Sequence, residues 1–210
     1  MLTFAVPKGR MMDQTIECLR NSGITIPEAE KIDRELIFYD EDKKYKFVIV
    51  KPSDVTTYVE YGAAEVGVSG KDIIEETEAN IYEPLDLGFS ECRLSVACLD
   101  EEDPDIRHPR VATEFPNLAE RHFAQKGENV EIITLHGSVE LAPLIGLAQR
   151  IVDIVSTGRT LRQNGLVEEE TILESSARLI VNRPAMKLHR EEIDELIDRL
   201  QSEVSYASTY

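Results

Sequence analysis

The sequence predicts an α/β protein of two lobes, because short β-rich runs alternate with amphipathic stretches along all 210 residues and the alternation is passed through twice. No internal repeat, low-complexity tract or Ser/Gly linker interrupts it. Strands joined by helices call for right-handed crossovers, so both lobes are expected to be parallel units. The length suits one large core or two modest lobes. Crossings near residues 88–90 and 171–176 divide the chain into 1–89 plus 176–210 and 90–175.

Residues 2–6 are an apolar run ended by Pro-Lys-Gly-Arg, after which Met12, Ile16 and Leu19 share one helical face: strand, turn and helix. Residues 35–39 and 45–50 are β-rich with the polar DEDKK between them, a hairpin. Pro52-Ser53-Asp54 opens a helix through Tyr61, closed by Gly62. A short strand at 66–69 leads through Gly70 into a helix at 71–76. Residues 92–99 are extended, and DEEDPDIRHP after them is a charged surface loop. The second lobe reads as a strand at 110–113, a helix at 117–125 stopped by Gly127, a strand at 130–135, a helical run at 139–147 and a strand at 151–155. Residues 170–173 and 177–182 are extended again. From about Lys187 a final amphipathic helix aligns Ile193, Leu196, Ile197 and Leu200.

Composition narrows the partners. A net charge of −17 repels nucleic acid and anionic membranes at long range, so any bound phosphate must be small and held locally. Over a Debye length of ~8 Å, a few cations and backbone amides in a cleft outweigh distant carboxylates. Cys18, Cys92 and Cys98 form no CxxC pair and read as reduced, buried thiols. His108, His122, His136 and His189 have no ligand spacing, so no zinc site is expected, and His122 on an apolar helical face reads as structural. The apolar start ends at Pro7, too soon for a signal peptide, and no segment approaches the ~18 apolar residues of a membrane span. A cytoplasmic chain is expected.

The sharpest signal is IVDIVSTGRTLRQNG at 151–165. A buried strand delivers an acid and then a small, hydroxylated, glycine-containing turn. At a strand's carboxyl end such a turn exposes successive N–H groups as an anion cradle; Ser156, Thr157 and Thr160 add hydroxyl donors, and Gly158 permits close approach. Asp153 is placed to take ribose hydroxyls or a bound Mg2+, and Arg159 or Arg162 to neutralise phosphate charge. A bare Ser-Thr-Gly triplet is an ordinary N-capped turn. The acid, the hydroxyls, the glycine and Thr160 on one strand end together point to a phosphorylated sugar.

Other strand ends carry charge too. In VPKGR at 6–10, Lys8 and Arg10 stand at a helix start, where cations oppose the dipole and a role on phosphate oxygens is favoured over a solvated turn. In GVSGKD at 67–72, Gly67 and Gly70 flank a strand end and Lys71 opens the next helix, as phosphate contact or as simple turn. Glu140 follows Gly137 and Ser138 at a helix start, with a dipole role and a site role both open to it. Glu168, Glu169 and Glu170 and the acids of the last helix read as a solvated face.

The loop at 153–160 resembles the phosphoribosyl pyrophosphate loop of phosphoribosyltransferases, in which strand-end acids hold ribose and a TGxT turn holds the 5′-phosphate. The purine and orotate enzymes carry two adjacent acids there, whereas Asp153 is followed by Ile154. Taken with its upstream sequence, GSVELAPLIGLAQRIVDIVSTGRTLRQNGL resembles the signature of the ATP phosphoribosyltransferase family of histidine synthesis. VPKGR, SDVTTYVEYGAAEVGVSGKD and residues 116–135 extend the likeness over nearly the whole chain.

The resemblance implies that ATP and phosphoribosyl pyrophosphate condense to N1-(5-phosphoribosyl)-ATP and pyrophosphate. It implies a two-lobed periplasmic-binding-protein-like (type II) α/β fold with the substrate cleft between lobes, and Mg2+ as cofactor. Asp153 would hold ribose, Ser156, Thr157, Gly158, Arg159 and Thr160 the 5′-phosphate, and Lys8, Arg10 and Lys51 the pyrophosphate or ATP phosphates, with Lys71 and Glu140 as further binding residues. Two basic positions of the family match Arg34, at the start of RELIF, and Lys51, where an arginine is expected and lysine offers a point charge in place of a fork. Gln149, where the family often has Asp, reads as peripheral. Longer members add a histidine-binding regulatory domain; here an amphipathic helix and SEVSYASTY follow the last strand, which implies the short form. That form is expected as a homodimer within a hetero-oligomer, paired with a regulatory subunit resembling histidyl-tRNA synthetase through exposed apolar surface. A non-enzymatic binding module on the same lobes and a purine or pyrimidine phosphoribosyltransferase are the alternatives.

Overall fold

The computed structural model describes residues 1–27, 35–100 and 108–207, with side chains through residue 205. In chain order the elements are β1 (Leu2–Pro7), α1 (Arg10–Asn21), β2 (Ile37–Tyr39), β3 (Tyr45–Val50), a 3-10 turn (Pro52–Asp54), α2 (Val55–Glu60), β4 (Val66–Gly70), α3 (Lys71–Thr77), β5 (Ile81–Asp86), β6 (Cys92–Leu99), β7 (Arg110–Thr113), α4 (Pro116–Lys126), β8 (Glu131–Thr134), α5 (Leu141–Leu144), β9 (Arg150–Val155), α6 (Arg159–Gln163), β10 (Leu166–Ser175), β11 (Ala177–Asn182), α7 (Ala185–Leu188) and α8 (Arg190–Ala207). The chain divides into two compact units, Met1–Ser90 with Ser176–Tyr210, and Glu91–Ser175. Most of the expected DEEDPDIRHP loop, residues 101–107, lies outside the described residues.

Each unit has one sheet. The first runs β2-β3-β1-β4-β11-β5 and the second β10-β6-β9-β7-β8. In the first, β3, β1 and β4 are parallel while β2, β11 and β5 run against their neighbours. In the second, β9, β7 and β8 are parallel and β6 and β10 antiparallel. The expected parallel lobes are thus corrected to mixed sheets, with the expected hairpin present as the β2–β3 pair. Parallel neighbours need a crossover, usually a helix, and the paired strands β2 and β3 follow one another without one.

Alternating side chains split between two faces. Along β1, Leu2, Phe4 and Val6 join a core with Ile16 and Leu19 of α1 and Ile193, Leu196 and Leu200 of α8. Ala5 faces the other way, with Val55 and Val59 of α2, Ile74 of α3 and Ile180 of β11. Helices on both faces explain why these strands read as unbroken apolar runs. Phe47 of β3 stacks on Phe38 of β2 at 4.7 Å between ring centroids, which fixes the hairpin to the sheet. In the second unit Ala97, Ala112, Ile151 and Val155 pack with Val139, Ala142 and Leu161.

Two elements differ from expectation. β5 was not foreseen: Pro84 lacks the N–H that a central strand donates, and it is tolerated because β5 is an edge strand whose pairing with β11 shifts register between Leu179 and Val181. The helical run expected at 139–147 contracts to α5, bounded by Glu140 and by Ile145 ahead of Gly146 at φ +73°. By contrast α4 spans its predicted residues, with Pro116 in its first turn and Gly127 left-handed at its end, where Glu128 N–H donates to Phe123 O at 2.9 Å. No helix among the described residues is long and apolar enough to cross a membrane.

Gly67 sets how closely β4 and α2 approach. A Cβ there would lie 2.9 Å from Val59 Cγ2 and 3.1 Å from the carbonyl oxygen of Ala5, both in a fully buried layer. Gly67→Ala should therefore cost about 1–3 kcal/mol by overpacking. Urea unfolding will show this as a lower midpoint with an unchanged slope.

Candidate active site

In the second unit β9, β7 and β8 are parallel, so their carboxyl ends open on one edge, where ligands of such sheets bind. β9 lies between β6 and β7 and delivers Asp153 opposite Ser95, then releases the chain into Ser156, Thr157 and Gly158. Gly158 is left-handed at φ +68° and caps α6. Ser156, Thr157, Arg159 and Thr160 are exposed. Among the described residues the N–H groups of Thr157 and Gly158 meet no acceptor, and they are successive donors at a strand end. Thr157 Oγ1 accepts a long hydrogen bond from Arg159 N–H at 3.4 Å. The guanidinium of Arg162 turns back to donate to Thr157 O at 3.0 Å, and Arg93 of β6 reaches Ser156 O at 3.5 Å.

Asp153 sits beside two other acids. Burial pushes its carboxyl up to about 6 from an ordinary 3.8, against the Ile154 N–H that donates to it, and the charges of Glu140 and Glu114 push it further the same way. Glu114 directly follows β7 and accepts the N–H of Gly137, drawing the turn after β8 to the end of β7. In that turn Gly137 has φ +102° and Ser138 φ +31°, and Glu140 precedes α5 without capping it by side chain. The sequence reading passed over Glu114 and Arg93. Glu114 could have been found, because RVATE repeats the arrangement of an acid at a parallel strand's end.

In the first unit the carboxyl ends of β1 and β3 carry the cations. Lys8 N–H donates to Val50 O at 2.8 Å, which places Lys8 level with the end of β3 and near Lys51 in the sheet. Lys8, Arg10 and Lys51 are exposed, and among the described residues no carboxylate pairs with them. Lys71, at the end of β4, is engaged by Glu83 at 2.7 Å and Glu75 at 2.9 Å. Burial alone would lower its pKa, but the hydrogen bonds to these two acids raise it. Arg34 lies outside the described residues.

The acids at 168–170 are exposed or half-buried, as expected of a solvated face, and each of them also holds a cation. Glu168 takes both Arg93 Nε and Nη2 at 2.6 Å and the Ser95 hydroxyl at 2.8 Å. Glu169 pairs with Arg150 at 3.3 Å, and Glu170 with Lys126 at 2.5 Å and His122 at 3.1 Å. Partners distant in sequence, brought across by β10, cannot be read from a run of like charges. Gln149 pairs with Arg110 through backbone and side chain at 2.9–3.0 Å, a structural contact at the amino ends of β7 and β9, opposite the carboxyl ends.

The two mixed sheets are those of a periplasmic-binding-type fold. The periplasmic aliphatic sulphonate binding protein SsuA of Escherichia coli superposes with a TM-score of 0.60 over 99% of this chain and 74% of its own, at 10% identity, which is a likeness of fold alone. The model of the HisG family, ATP phosphoribosyltransferase, matches residues 51–202. The ATP phosphoribosyltransferase of Bacillus licheniformis is 52% identical over 199 residues, covering 95% of this chain and 93% of its own. That of Bacillus subtilis is 50% identical over 200 residues, covering 95% and 94%. A chain of the ATP phosphoribosyl transferase (HisG:HisZ) complex from Thermotoga maritima superposes with a TM-score of 0.87 over 98% of this chain and 100% of its own, at 32% identity. The chain belongs to the ATP phosphoribosyltransferase family, the glycosyltransferases of histidine biosynthesis.

The raised pKa of Asp153 has a consequence for stability. With a folded pKa near 6 against 3.8, the folded chain holds more protons than the unfolded one between those values, so Asp153 costs stability as pH rises from 4 to 6 and the full cost persists above. Asp153→Asn should be more stable than the parent at pH 7.5 by about 1–3 kcal/mol. Denaturant curves should show the gap closing as pH falls towards 4.

Proposed function

We propose that phosphoribosyl pyrophosphate is held on the end of β9, with ribose hydroxyls on Asp153 and the 5′-phosphate on the Thr157 and Gly158 amides and the hydroxyls of Ser156, Thr157 and Thr160. The observation that carries this reading is the pair of successive N–H groups with no acceptor among the described residues. In the reaction N1 of the adenine ring of ATP uses its own lone pair to form a bond to C1 of the ribose as the bond from C1 to pyrophosphate breaks. Positive charge spreads over C1 and the ring oxygen, while negative charge grows on the leaving group. Lys8, Arg10 and Lys51, free of carboxylate partners among the described residues, suit that developing charge. No general base is required. Glu140 faces the same strand end as Asp153, and Arg159 opens α6 beside the cradle.

Mg2+ fits as a substrate-borne ion. Burial raises the Asp153 pKa and the charges of Glu140 and Glu114 add to it, a negative edge that suits a cation, yet no group of three ligand side chains among the described residues forms a metal cage. Mg2+ keeps several waters and binds through one or two carboxylates plus phosphates, so Asp153 is the residue that would meet it. When bound, it would neutralise charge on the pyrophosphate.

The reading also extends to partners and location. We propose that the chain is a homodimer in the cytoplasm that works with a separate regulatory subunit resembling histidyl-tRNA synthetase. Support comes from the HisG:HisZ complex that contains the similar Thermotoga chain, and from exposed Leu141, Leu144 and Ile145 on the second unit, apolar surface of the kind interfaces cover.

Two measurements test these assignments. Thr157→Val or Thr160→Val should weaken phosphoribosyl pyrophosphate binding by about 1–3 kcal/mol, since each removes a donor to a charged, desolvated group. Calorimetry giving parental affinity for both variants would remove the cradle. The purified chain alone should turn over slowly and ignore histidine, and adding the partner should raise turnover and confer inhibition. Full activity with histidine inhibition in the isolated chain would overturn the partner assignment.

A further inference from the structure

We infer that Arg162 and Arg93 are positioning residues that aim the phosphate cradle from behind by holding its carbonyl groups; the inference rests on the proposal that residues 156–160 receive the 5′-phosphate. In a trans peptide the C=O and the following N–H point in opposite directions. The carbonyl of Ser156 shares a plane with Thr157 N–H, and that of Thr157 with Gly158 N–H. Arg93 Nη1 approaches the first carbonyl at 3.5 Å and Arg162 Nη2 holds the second at 3.0 Å. Each guanidinium thereby turns the N–H of its peptide to the opposite side, and these are the two amides that meet no acceptor among the described residues.

The two arginines are themselves held differently. Glu168 takes Arg93 through two hydrogen bonds of 2.6 Å, and Glu168 is in turn fixed by the Ser95 hydroxyl at 2.8 Å, so this clamp is built into the β6–β10 pair. Arg162 rides on α6, and its Nη1 would lie 3.0 Å from a Cβ at Gly158, so the guanidinium occupies the space that glycine leaves. Gly158 thus serves twice: it takes the left-handed conformation at φ +68°, and it admits the clamp. A side chain at 162 that reached into solvent towards a ligand would have no reason to fold onto its own loop. Amides oriented before the ligand arrives need no reorganisation when it binds, which raises affinity without a new contact.

The test uses the full chain, with Arg162→Met, Arg162→Lys and Thr157→Val, and phosphoribosyl pyrophosphate with Mg2+ as the probe. Arg162→Met should weaken binding about three- to tenfold, the effect of one lost hydrogen bond, with KM for ATP unchanged and the melting temperature lowered by no more than about 2–4 °C. Arg162→Lys, which keeps one donor, should recover part of the loss. Amide 15N relaxation of the ligand-free chain separates aiming from direct contact: in Arg162→Met the order of the Thr157 and Gly158 amides should fall before any ligand is added. Weakened binding with those amides as ordered as in the parent would mean that Arg162 touches the phosphate itself, and would overturn the inference. So would parental affinity in Arg162→Met beside a loss in Thr157→Val, an outcome that leaves the cradle standing. Parental affinity in both would instead remove the cradle and the inference with it.

Discussion

A peptide plane cannot offer its carbonyl and its N–H to the same side, and the second unit is arranged around that constraint where β9 leaves its sheet. Inside the sheet the ladders to β6 and β7 use both groups. Past Val155 the ladder ends, and the carbonyls and amides released there need partners or solvent. Ser156 and Thr157 place their carbonyls against guanidinium groups, and the two amides of those peptides meet no acceptor among the described residues. The left-handed Gly158 then turns the chain into α6. Strand end, glycine, buried Leu161 and the arginine one turn into the helix are parts of one local solution to donors that a sheet no longer satisfies.

Charge is distributed to match. The chain carries −17 overall, yet its two strand-end edges differ in sign. Burial, with the charges of Glu140 and Glu114 adding to it, pushes Asp153 up to about 6 on the second unit's edge, while at the edge of the first no carboxylate among the described residues pairs with Lys8, Arg10 or Lys51. Amides bring no net charge of their own and so do not neutralise the acid beside them, whereas a lysine at the cradle would pair with Asp153 and compete for it. The same separation explains how so acidic a chain can hold anions: screening within ~8–10 Å leaves each edge governed by its nearest groups.

The sequence disclosed the parts whose information is local. The β9 strand, the turn at 156–158, the glycine stop of α4 and the β2–β3 hairpin all rest on residues within a few positions of one another. Features that depend on distant partners stayed hidden. Strand direction is one: alternation of strands and helices is the same for β6 and β10 whether they run with β9 or against it. β5 was masked by Pro84, which argues against a strand until the neighbours show that it lies at an edge. Glu168 to Glu170 look like a solvated run until β10 sets them against Arg93, Arg150 and Lys126. Lys51 and Arg34 have no local signature at all, and only the family resemblance points to them.

Lys8 and Lys71 illustrate what the fold adds to a motif. Both follow a parallel strand and precede or open a helix, and in sequence they are near equivalents. In the structure Lys71 is committed: Glu83 and Glu75 hold its ammonium, Glu83 also reaches Arg178 at 3.3 Å, Arg178 reaches Asp86 at 2.9 Å, and Asp86 accepts the Ser176 hydroxyl at 2.8 Å. This chain of ions ties the end of β4 to β5 and β11, where Lys71 N–H also donates to Ser176 O. Its strongest anchor, Glu83, lies on the strand that the sequence concealed, so the competition was invisible until β5 was placed. A phosphate arriving at Lys71 must displace two carboxylates from a half-buried ammonium, whereas one arriving at Lys8 displaces only water. Of the two lysines, Lys8 is therefore the one whose charge is uncommitted among the described residues, and Lys71 the one that fixes its strand end.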